Sequence, residues 1–281
     1  MSGKQQLRLA VIGHVEHVSI ASAPSLPTPG EIVHLDDVVT IPGGGGGLAF
    51  FQLTRGPAEV HLFTALGNDD AAQLVSDRVH ATNATVHIAY RNRPHTRDLV
   101  VVTPDGERTI FVQGEPLHPI MSDPLPWDLL AGFDAIYFTG EDAELLRAAR
   151  ASEVLVVTSR RFDTLARSGV QADVVVGSRL DPREAHELVD YPVPPKALVM
   201  TRGKEGGVIE TARGTTRFRG PHVSGRLRGA YGAGDSFAGA LTWYMACGLG
   251  IEESCARAAE CGAAVLRDIN PLDGQVALTL L

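Results

Sequence analysis

One short segment near the C-terminal end of the chain combines residue types that could do chemistry. Residues 229–241 form a glycine turn that runs through a single carboxylate, Asp235, into an apolar helical pattern. The small residues before Asp235 let a bound group approach the backbone, and the first N–H groups of a helix have no intrahelical acceptor. The helix dipole adds roughly half a positive charge at the same end. The turn therefore predicts an anion-binding site, formed by Gly232, Ala233 and Gly234.

Asp235 stands at the mouth of this predicted site. A carboxylate repels a bound phosphate, but it can accept a proton from a hydroxyl that attacks the phosphate. The chemistry indicated is phosphorylation of an alcohol, with Asp235 as the general base. The alternative is a helix N-cap, which is the ordinary role of aspartate at such a position.

The length and composition of the chain are those of an ordinary globular protein. The chain has 281 residues, of which 44% are apolar and 21% are charged, so it can bury a sizeable core. Its net charge of −8 argues against nucleic acids or anionic membranes as partners. The three cysteines lack metal-ligand spacing and are expected to be reduced core thiols. The apolar run at residues 9–13 is too short for export or membrane insertion, so we expect a cytoplasmic protein.

Short apolar runs alternate with helical patterns along most of the chain. This alternation predicts a mostly parallel sheet covered by helices on both faces. The predicted strands are residues 7–13, 60–65, 135–139, 154–158, 174–176 and 197–201. The predicted helices are residues 48–54, 71–80, 141–150, 164–168, 182–189, 235–247 and 251–267.

Further extended segments predict a small second sheet. They are residues 31–40, 86–91, 98–103 and 108–113. The last two are joined by an Asp-Gly turn, which is typical of a hairpin. We therefore expect a single α/β domain over residues 1–281, with a β lid built from about 14–40 and 86–113. Because exposed lid edges can pair, a homodimer through the lid is possible.

Four local motifs follow one another in this order of elements. They are Pro42–Gly47 with Leu53–Gly56, Ala65–Asp69, Asp105–Thr109, and Gly232–Asp235 with Phe237 and Gly239. Together they resemble the ribokinase-like, or PfkB, carbohydrate kinase family over nearly the full length of the chain. The resemblance implies a three-layer α/β/α sandwich with a β lid, ATP and Mg²⁺ as cofactors, and a small sugar or nucleoside as substrate. It also assigns Asp235 the role of catalytic base.

A second glycine turn follows the predicted strand at 197–201. Residues 201–207 are similar to the family's T-x-G-x-x-G element, which lies against the nucleotide, and this implies nucleotide binding by Thr201, Gly203 and Gly206. Taken alone, the motif also fits a purely structural loop.

Two acidic residues follow predicted strands at the edge where open α/β sheets bind ligands. Glu16 is the best candidate to hydrogen-bond a substrate hydroxyl or amine, and Glu141 occupies a similar place. A surface carboxylate and a helix-capping acid are the respective alternatives. His14 and His17 flank Glu16, but strand alternation would place them on opposite faces, which disfavours a three-ligand metal site.

The early glycine cluster and the lid complete the predicted substrate site. Gly43, Gly44 and Gly47 would allow the backbone to approach substrate hydroxyls closely, although a glycine run can also be a flexible linker. Arg97, on a lid strand, could close over a ligand, but exposed hairpin arginines are common.

The chain departs from the family pattern at two places. The second signature usually begins Asp-Thr, where this chain has Gly229 and Ala230. The family's Asn-x-x-Glu falls on residues 178–181, which leaves Asp181 as a weak outer-shell organiser of Mg²⁺. Two alternatives therefore stay open: a sugar- or nucleotide-binding protein without turnover, and a kinase of a phosphosugar held by Arg97, Arg108 and residues 226–228.

Other phosphate-binding motifs do not match. The Walker pattern fails because Glu205 follows Gly203-Lys204, and no G-x-G-x-x-G follows the first strand. A Rossmann dehydrogenase is therefore disfavoured.

Overall fold

The computed structural model describes residues 6–223, 225 and 227–280. The strands in this part of the chain are β1 (Arg8–Ile12), β2 (Glu16–Ser22), β3 (Asp36–Gly43), β4 (Glu59–Leu66), β5 (Thr85–Tyr90), β6 (Arg97–Val102), β7 (Arg108–Gln113), β8 (Ala135–Phe138), β9 (Val154–Thr158), β10 (Val174–Ser178), β11 (Ala197–Thr201), β12 (Gly207–Thr211) and β13 (Gly214–Phe218). The α-helices are α1 (Gly44–Leu53), α2 (Asp70–His80), α3 (Ala143–Ala149), α4 (Phe162–Ser168), α5 (Ala233–Ala246), α6 (Ile251–Ala264) and α7 (Pro271–Gly274).

The central sheet has the order β13-β12-β11-β10-β9-β8-β1-β4-β5 and is parallel from β11 to β5. Successive residues of β1 point to opposite faces, as the pleat requires. Leu9 and Val11 pack with α1, α2, α5 and α6, whereas Ala10 and Ile12 pack with α3 and α4. The predicted three-layer α/β/α fold is confirmed. Among the described residues, no helix combines the length and apolar character needed to cross a bilayer.

Beyond β11 the sheet continues with an antiparallel hairpin. β12 pairs with both β11 and β13, and neither β12 nor β13 was predicted. Three of the five residues of β12 are buried, whereas β13 is exposed apart from Phe218. The sequence signal was weak because each strand has only five residues and β13 has one apolar side chain, Phe218.

The second sheet has four strands in the order β3-β2-β6-β7. Val18, Ile20 and Val100 form its inner face, which packs on Leu48 of α1 and on Tyr231. This is the expected lid, but its second segment begins at Arg97 rather than at residue 86. The strand that covers residues 85–90 pairs with β4 at the edge of the central sheet instead. Its apolar side chains at 86 and 88 pack on the main core, which explains this pairing.

Two helix predictions need correction. α1 begins at Gly44, four residues earlier than predicted, because its first turn is made of the glycine run itself. Residues 182–189 do not form a helix and contain turns before the short 3₁₀ segment Leu188–Asp190. Glu184 accepts a hydrogen bond from the N–H of Ser178, and Asp181 accepts one from the N–H of Arg183. These side chains fold the segment back on β10.

Candidate active site

The N-terminus of α5 is an open site bordered by small residues. Gly232 adopts a left-handed conformation with φ of 83°, and a Cβ there would lie 3.0 Å from Pro271 Cβ. The first intrahelical bond in this turn runs from Ser236 N–H to Gly232 O at 2.9 Å, so the helix geometry leaves the preceding N–H groups available. A Cβ on Gly234 would meet nothing within 4 Å. The turn thus has small residues and the N–H groups of a helix start at the predicted place, and anion binding there stays a prediction.

Asp235 lies in the first turn of α5 and is half-buried. Burial and the negative charge of Glu184 raise the pKa of Asp235, while the positive charges of Arg160 and Arg108 oppose the rise. A raised pKa makes the carboxylate a better proton acceptor when it is ionised. Arg108 is the first residue of β7, so the lid brings a cation close to this carboxylate.

The start of α1 faces Asp235 across the site. Gly44 N–H donates to Tyr231 Oη at 3.1 Å, and Gly45 N–H donates to His14 Nε2 at 3.2 Å. A Cβ on Gly45 would lie 3.3 Å from Asp235 Oδ1, so only a residue without a side chain keeps this space open.

The predicted substrate glycines divide into two groups. A Cβ on Gly44 would lie 2.8 Å from Glu16 Oε2, which places Gly44 at the site. Gly43 and Gly47 are buried, and a Cβ on them would meet the side chains of Val18 and Val15 at 2.4 Å and 3.1 Å. Packing within the protein is therefore enough to explain why Gly43 and Gly47 lack side chains. Their predicted contact with substrate stays a prediction.

Glu16 begins β2 and is buried beside Asp98 of the neighbouring strand β6. Burial, the charge of Asp98 and a side-chain hydrogen bond with Asp98 raise the pKa of Glu16 to about 9. Burial also raises the pKa of Asp98. Asp98 was not singled out from the sequence, because a lone acid in an apolar strand has no motif around it.

A row of polar side chains extends from the site along the ends of β8 and β9. Burial lowers the pKa of His14 well below its usual range and that of His118 to about 4, so both imidazoles are neutral near pH 7. Since His14 Nε2 accepts a hydrogen bond from the N–H of Gly45, its Nδ1 carries the proton and donates to Thr139 Oγ1 at 3.2 Å. Glu141 is half-exposed at the far end, in an ion pair with Arg161.

On the other side of Asp235 lies a carboxylate pair held by an arginine. Arg160 forms ion pairs with Asp181 and Glu184. Burial acts to raise the pKa of Asp181. Hydrogen bonds from Arg183 and the positive charges of Arg160 and Arg183 outweigh burial and lower this pKa to about 2. Glu184, rather than Asp181, is the carboxylate whose charge acts on Asp235. Sequence reasoning missed Glu184 because it lies six residues after Ser178, beyond the family spacing.

The predicted nucleotide-binding residues lie at the turn between β11 and β12. Thr201 Oγ1 donates to Gly177 O at 3.2 Å, and Gly203 begins a short 3₁₀ turn. Gly206 has a φ of 90°, and a Cβ there would lie 2.1 Å from Phe218 O, so the turn requires glycine.

A cavity of about 340 Å³ opens beside this turn. Its lining includes three arginines, one acid and one aromatic ring, which are Arg202, Arg217, Arg219, Glu205 and Phe218. The Phe218 ring stacks on Phe237 of α5 with ring centroids 5.8 Å apart, so the cavity lies close to the helix that carries Asp235. Because the arginines outnumber the single acid, the lining carries a net positive charge, which suits a polyanion.

The lid arginine at position 97 is engaged within the protein. Arg97 donates to Asp69 Oδ2 at 2.8 Å, and Asp69 also caps α2. Its predicted contact with substrate stays a prediction. Arg226, part of the basic region considered for a phosphosugar, lies outside the described residues.

A model of one protein family matches most of the chain. The model described as pfkB family carbohydrate kinase matches residues 6–192 and 171–274. The chain belongs to this family. The resemblance drawn from the four sequence motifs is thus confirmed. A comparison with curated proteins finds no match.

Solved structures similar to this pfkB-family chain share its fold at low sequence identity. Adenosine kinase from Sinorhizobium meliloti has a TM-score of 0.77 and 19% identity, with 95% of this chain and 96% of that chain covered. Arabidopsis thaliana ribokinase, complexed with ribose and ATP, has a TM-score of 0.75 and 15% identity, with coverages of 97% and 96%. Phosphofructokinase-2 from Escherichia coli has a TM-score of 0.75 and 15% identity, with coverages of 96% and 97%.

Proposed function

We propose that this chain transfers the γ-phosphoryl group of ATP to a hydroxyl of a small sugar or nucleoside. The observation that carries the proposal is the position of Asp235. Its carboxylate lies at the open N-terminus of α5, and its Oδ1 is 3.3 Å from where a Cβ on Gly45 would be. A base beside an anion site, with room for an alcohol on the opposite side, has what phosphoryl transfer to an alcohol requires.

The chain's own groups define the steps. The substrate hydroxyl donates its proton to Asp235 as its oxygen attacks the γ-phosphorus, and the bond from that phosphorus to the bridging oxygen of ADP breaks. The N–H groups of Ala233 and Gly234 stabilise the negative charge of the transferring group. Arg108 and Arg160 add positive charge nearby. Closure of the lid over the site excludes water, which would otherwise compete as an acceptor.

The donor side fits a nucleotide and Mg²⁺. The cavity beside Thr201, Gly203 and Gly206 carries arginines suited to phosphates. Carboxylate oxygens are the ligands that Mg²⁺ prefers, and Glu184 and Asp181 supply them near Asp235. Because both carboxylates are already bound by Arg160, they would hold Mg²⁺ through water molecules. A Mg²⁺ ion held there would supply positive charge against the negative phosphate oxygens.

The acceptor side combines acids with neutral imidazoles. Glu16, Gly44 and Glu141 are the proposed contacts with substrate hydroxyls, and His14 adds a buried polar surface between them. Similar structures include an adenosine kinase and a ribokinase complexed with ribose and ATP, which supports a sugar or nucleoside as the acceptor class.

The test is ADP formation from ATP and Mg²⁺ over a panel of sugars, nucleosides and phosphosugars. A member of the panel should stimulate ADP formation in the wild type and not in Asp235→Asn. The matched control is Asp36→Asn, which removes an exposed carboxyl at the start of β3. Ligand binding without ADP formation would favour the binding protein, which the missing polar groups at Gly229 and Ala230 allow. Stimulation by phosphosugars alone would favour the phosphosugar kinase.

The lid edge suits a second copy of the chain. On the outer strand β7, the apolar side chains Ile110, Phe111 and Val112 are between 41% and 54% exposed. Pairing of this edge with another lid would cover them, so we include a homodimer in the proposal. Sedimentation of the wild type and of Phe111→Lys measures it, and a monomeric wild type would contradict it.

A further inference from the structure

We infer that Glu16 and Asp98 together bind a protonated amine of the acceptor, so that the substrate is an amino-bearing polyol such as an amino sugar or an aminocyclitol. The inference rests on the proposed function, because the amine is placed on the same molecule whose hydroxyl reacts at Asp235. It names a substrate class that the family assignment alone does not give.

The two carboxyl groups form one buried feature. Glu16 and Asp98 are each 6% exposed, and they lie on adjacent parallel strands in which Val18 is the register partner of Asp98. Asp98 Oδ1 is buried and has no hydrogen-bond partner among the described residues. A buried carboxylate oxygen that accepts no hydrogen bond costs folding free energy. A ligand that donates a hydrogen bond to this oxygen would remove that cost.

The charges around the pair are mostly negative. Asp235, on α5, adds a third carboxyl group, and Tyr231, before α5, is a neutral phenol whose pKa burial raises. His14 Nε2 is 3.9 Å from Glu16 Oε1, but burial keeps its imidazole uncharged near pH 7. Arg161 is the cation whose charge reaches Glu16, and it is already paired with Glu141. The pair thus lies in a negative field that favours a cation.

An ammonium group fits this environment better than a hydroxyl. A hydroxyl brings one donor and no charge, so a neutral polyol would leave the carboxyl pair sharing a proton. An ammonium brings three donors and a positive charge, which can satisfy Asp98 Oδ1 and Glu16 together. On binding, both carboxyls then ionise and the shared proton leaves to solvent.

The position of the pair matches a single small molecule. A Cβ on Gly44 would lie 2.8 Å from Glu16 Oε2, and a Cβ on the next residue, Gly45, would lie 3.3 Å from Asp235 Oδ1. The amine site and the proposed base are thus next to consecutive residues of α1. A polyol held by its amine at Glu16 can therefore present a hydroxyl to Asp235.

The test uses pairs of compounds that differ in one amine: D-glucosamine and D-glucose, D-galactosamine and D-galactose, D-mannosamine and D-mannose, and 2-deoxystreptamine and myo-inositol. Binding is measured by calorimetry near neutral pH in two buffers of different ionisation enthalpy, which gives the number of protons released. At least one amino compound should bind about tenfold or more tightly than its neutral partner and release about one proton.

Asp98→Asn tests the role of the pair directly. This variant keeps the shape of the side chain but should lose the tenfold preference and the proton release, while Asp36→Asn should retain both. Thermal unfolding of each variant verifies that it is folded, and Glu16→Gln provides a second variant if Asp98→Asn is not. The inference is overturned if neutral compounds bind as well as their amino partners, if no amino compound binds, or if the preference survives in Asp98→Asn.

Failure of the proposed function would give a different result. If an amino compound binds with proton release but yields no ADP with ATP and Mg²⁺, the kinase proposal fails and the amine site stands. If neutral polyols are phosphorylated in an Asp235-dependent reaction and no amino compound binds more tightly than its neutral partner, the kinase proposal stands and the amine site fails.

Discussion

The carboxylate of Asp235 lies directly against Gly45: a Cβ on Gly45 would be 3.3 Å from Asp235 Oδ1. Asp235 comes from the first turn of α5 and Gly45 from the first turn of α1, so two helix N-termini meet at the proposed reaction site. A side chain at position 45 would crowd the carboxylate, so the close approach of the two helices depends on glycine there.

Gly45→Ala should impair the acceptor side of this site. The new methyl group would enter the space beside Asp235 Oδ1, where the acceptor hydroxyl has to approach. We expect kcat/KM for the acceptor to fall by up to about 10²-fold, because small misplacements of reacting groups cost rate steeply. Steady-state kinetics with the acceptor and ATP varied in turn measure the effect.

Gly234→Ala is the matched comparison. A Cβ on Gly234 would meet nothing within 4 Å, and the φ angle of Gly234 is not in the left-handed region that favours glycine. This variant should keep the wild-type Tm or raise it, and it should act on the KM for ATP rather than on the KM for the acceptor. If Gly45→Ala and Gly234→Ala changed the KM for ATP and the KM for the acceptor equally, the site would not have separate acceptor and phosphate sides.

Glu184→Gln should change the pH dependence of the reaction. The charge of Glu184 contributes to the raised pKa of Asp235, and removing it should lower that pKa. Because the base acts in its ionised form, the acidic limb of the kcat profile should move to lower pH. Because Glu184 is also proposed to hold Mg²⁺, rates are measured across the acidic range at saturating Mg²⁺, with the exposed Asp163→Asn of α4 as a control. An unshifted limb would show that the charge of Glu184 does not act on the reacting base.

Glu16→Gln should alter how stability depends on pH. The pKa of Glu16 is about 9 in the folded chain, so the folded state keeps a proton that the unfolded chain releases at lower pH. Wild-type stability therefore falls as pH rises from the ordinary glutamate range toward about 9. The Gln variant lacks this loss, so its Tm should rise relative to the wild type across that range. Thermal unfolding over pH measures the difference, and a constant difference would contradict the raised pKa.

The sequence was most informative where one short motif carries both the local structure and the chemistry. The run Gly232 to Asp235 predicts a glycine turn and a helix start, and the structure has a left-handed Gly232 followed by the first turn of α5. The alternating apolar strands of the central sheet were likewise predictable, since burial on both faces demands apolar runs. The roles of these residues in catalysis remain predictions.

Features that depend on long-range contacts were missed. Asp98 becomes notable because β6 pairs with β2, which begins at Glu16, and no local pattern indicates that pairing. Glu184 reaches the site because residues 182–189 form turns instead of the predicted helix. β5 was assigned to the lid because an extended strand of mixed polarity does not reveal which of two sheets it joins.

In the proposed reaction, Asp235 removes the proton from the acceptor hydroxyl. The most direct measurement is the rate of ADP formation by Asp235→Asn with the best acceptor of the panel, on protein shown to be folded by thermal unfolding. General base catalysis contributes about 10²- to 10⁴-fold, so kcat should fall by that factor while acceptor binding persists. A variant that turns over at the wild-type rate would contradict the account.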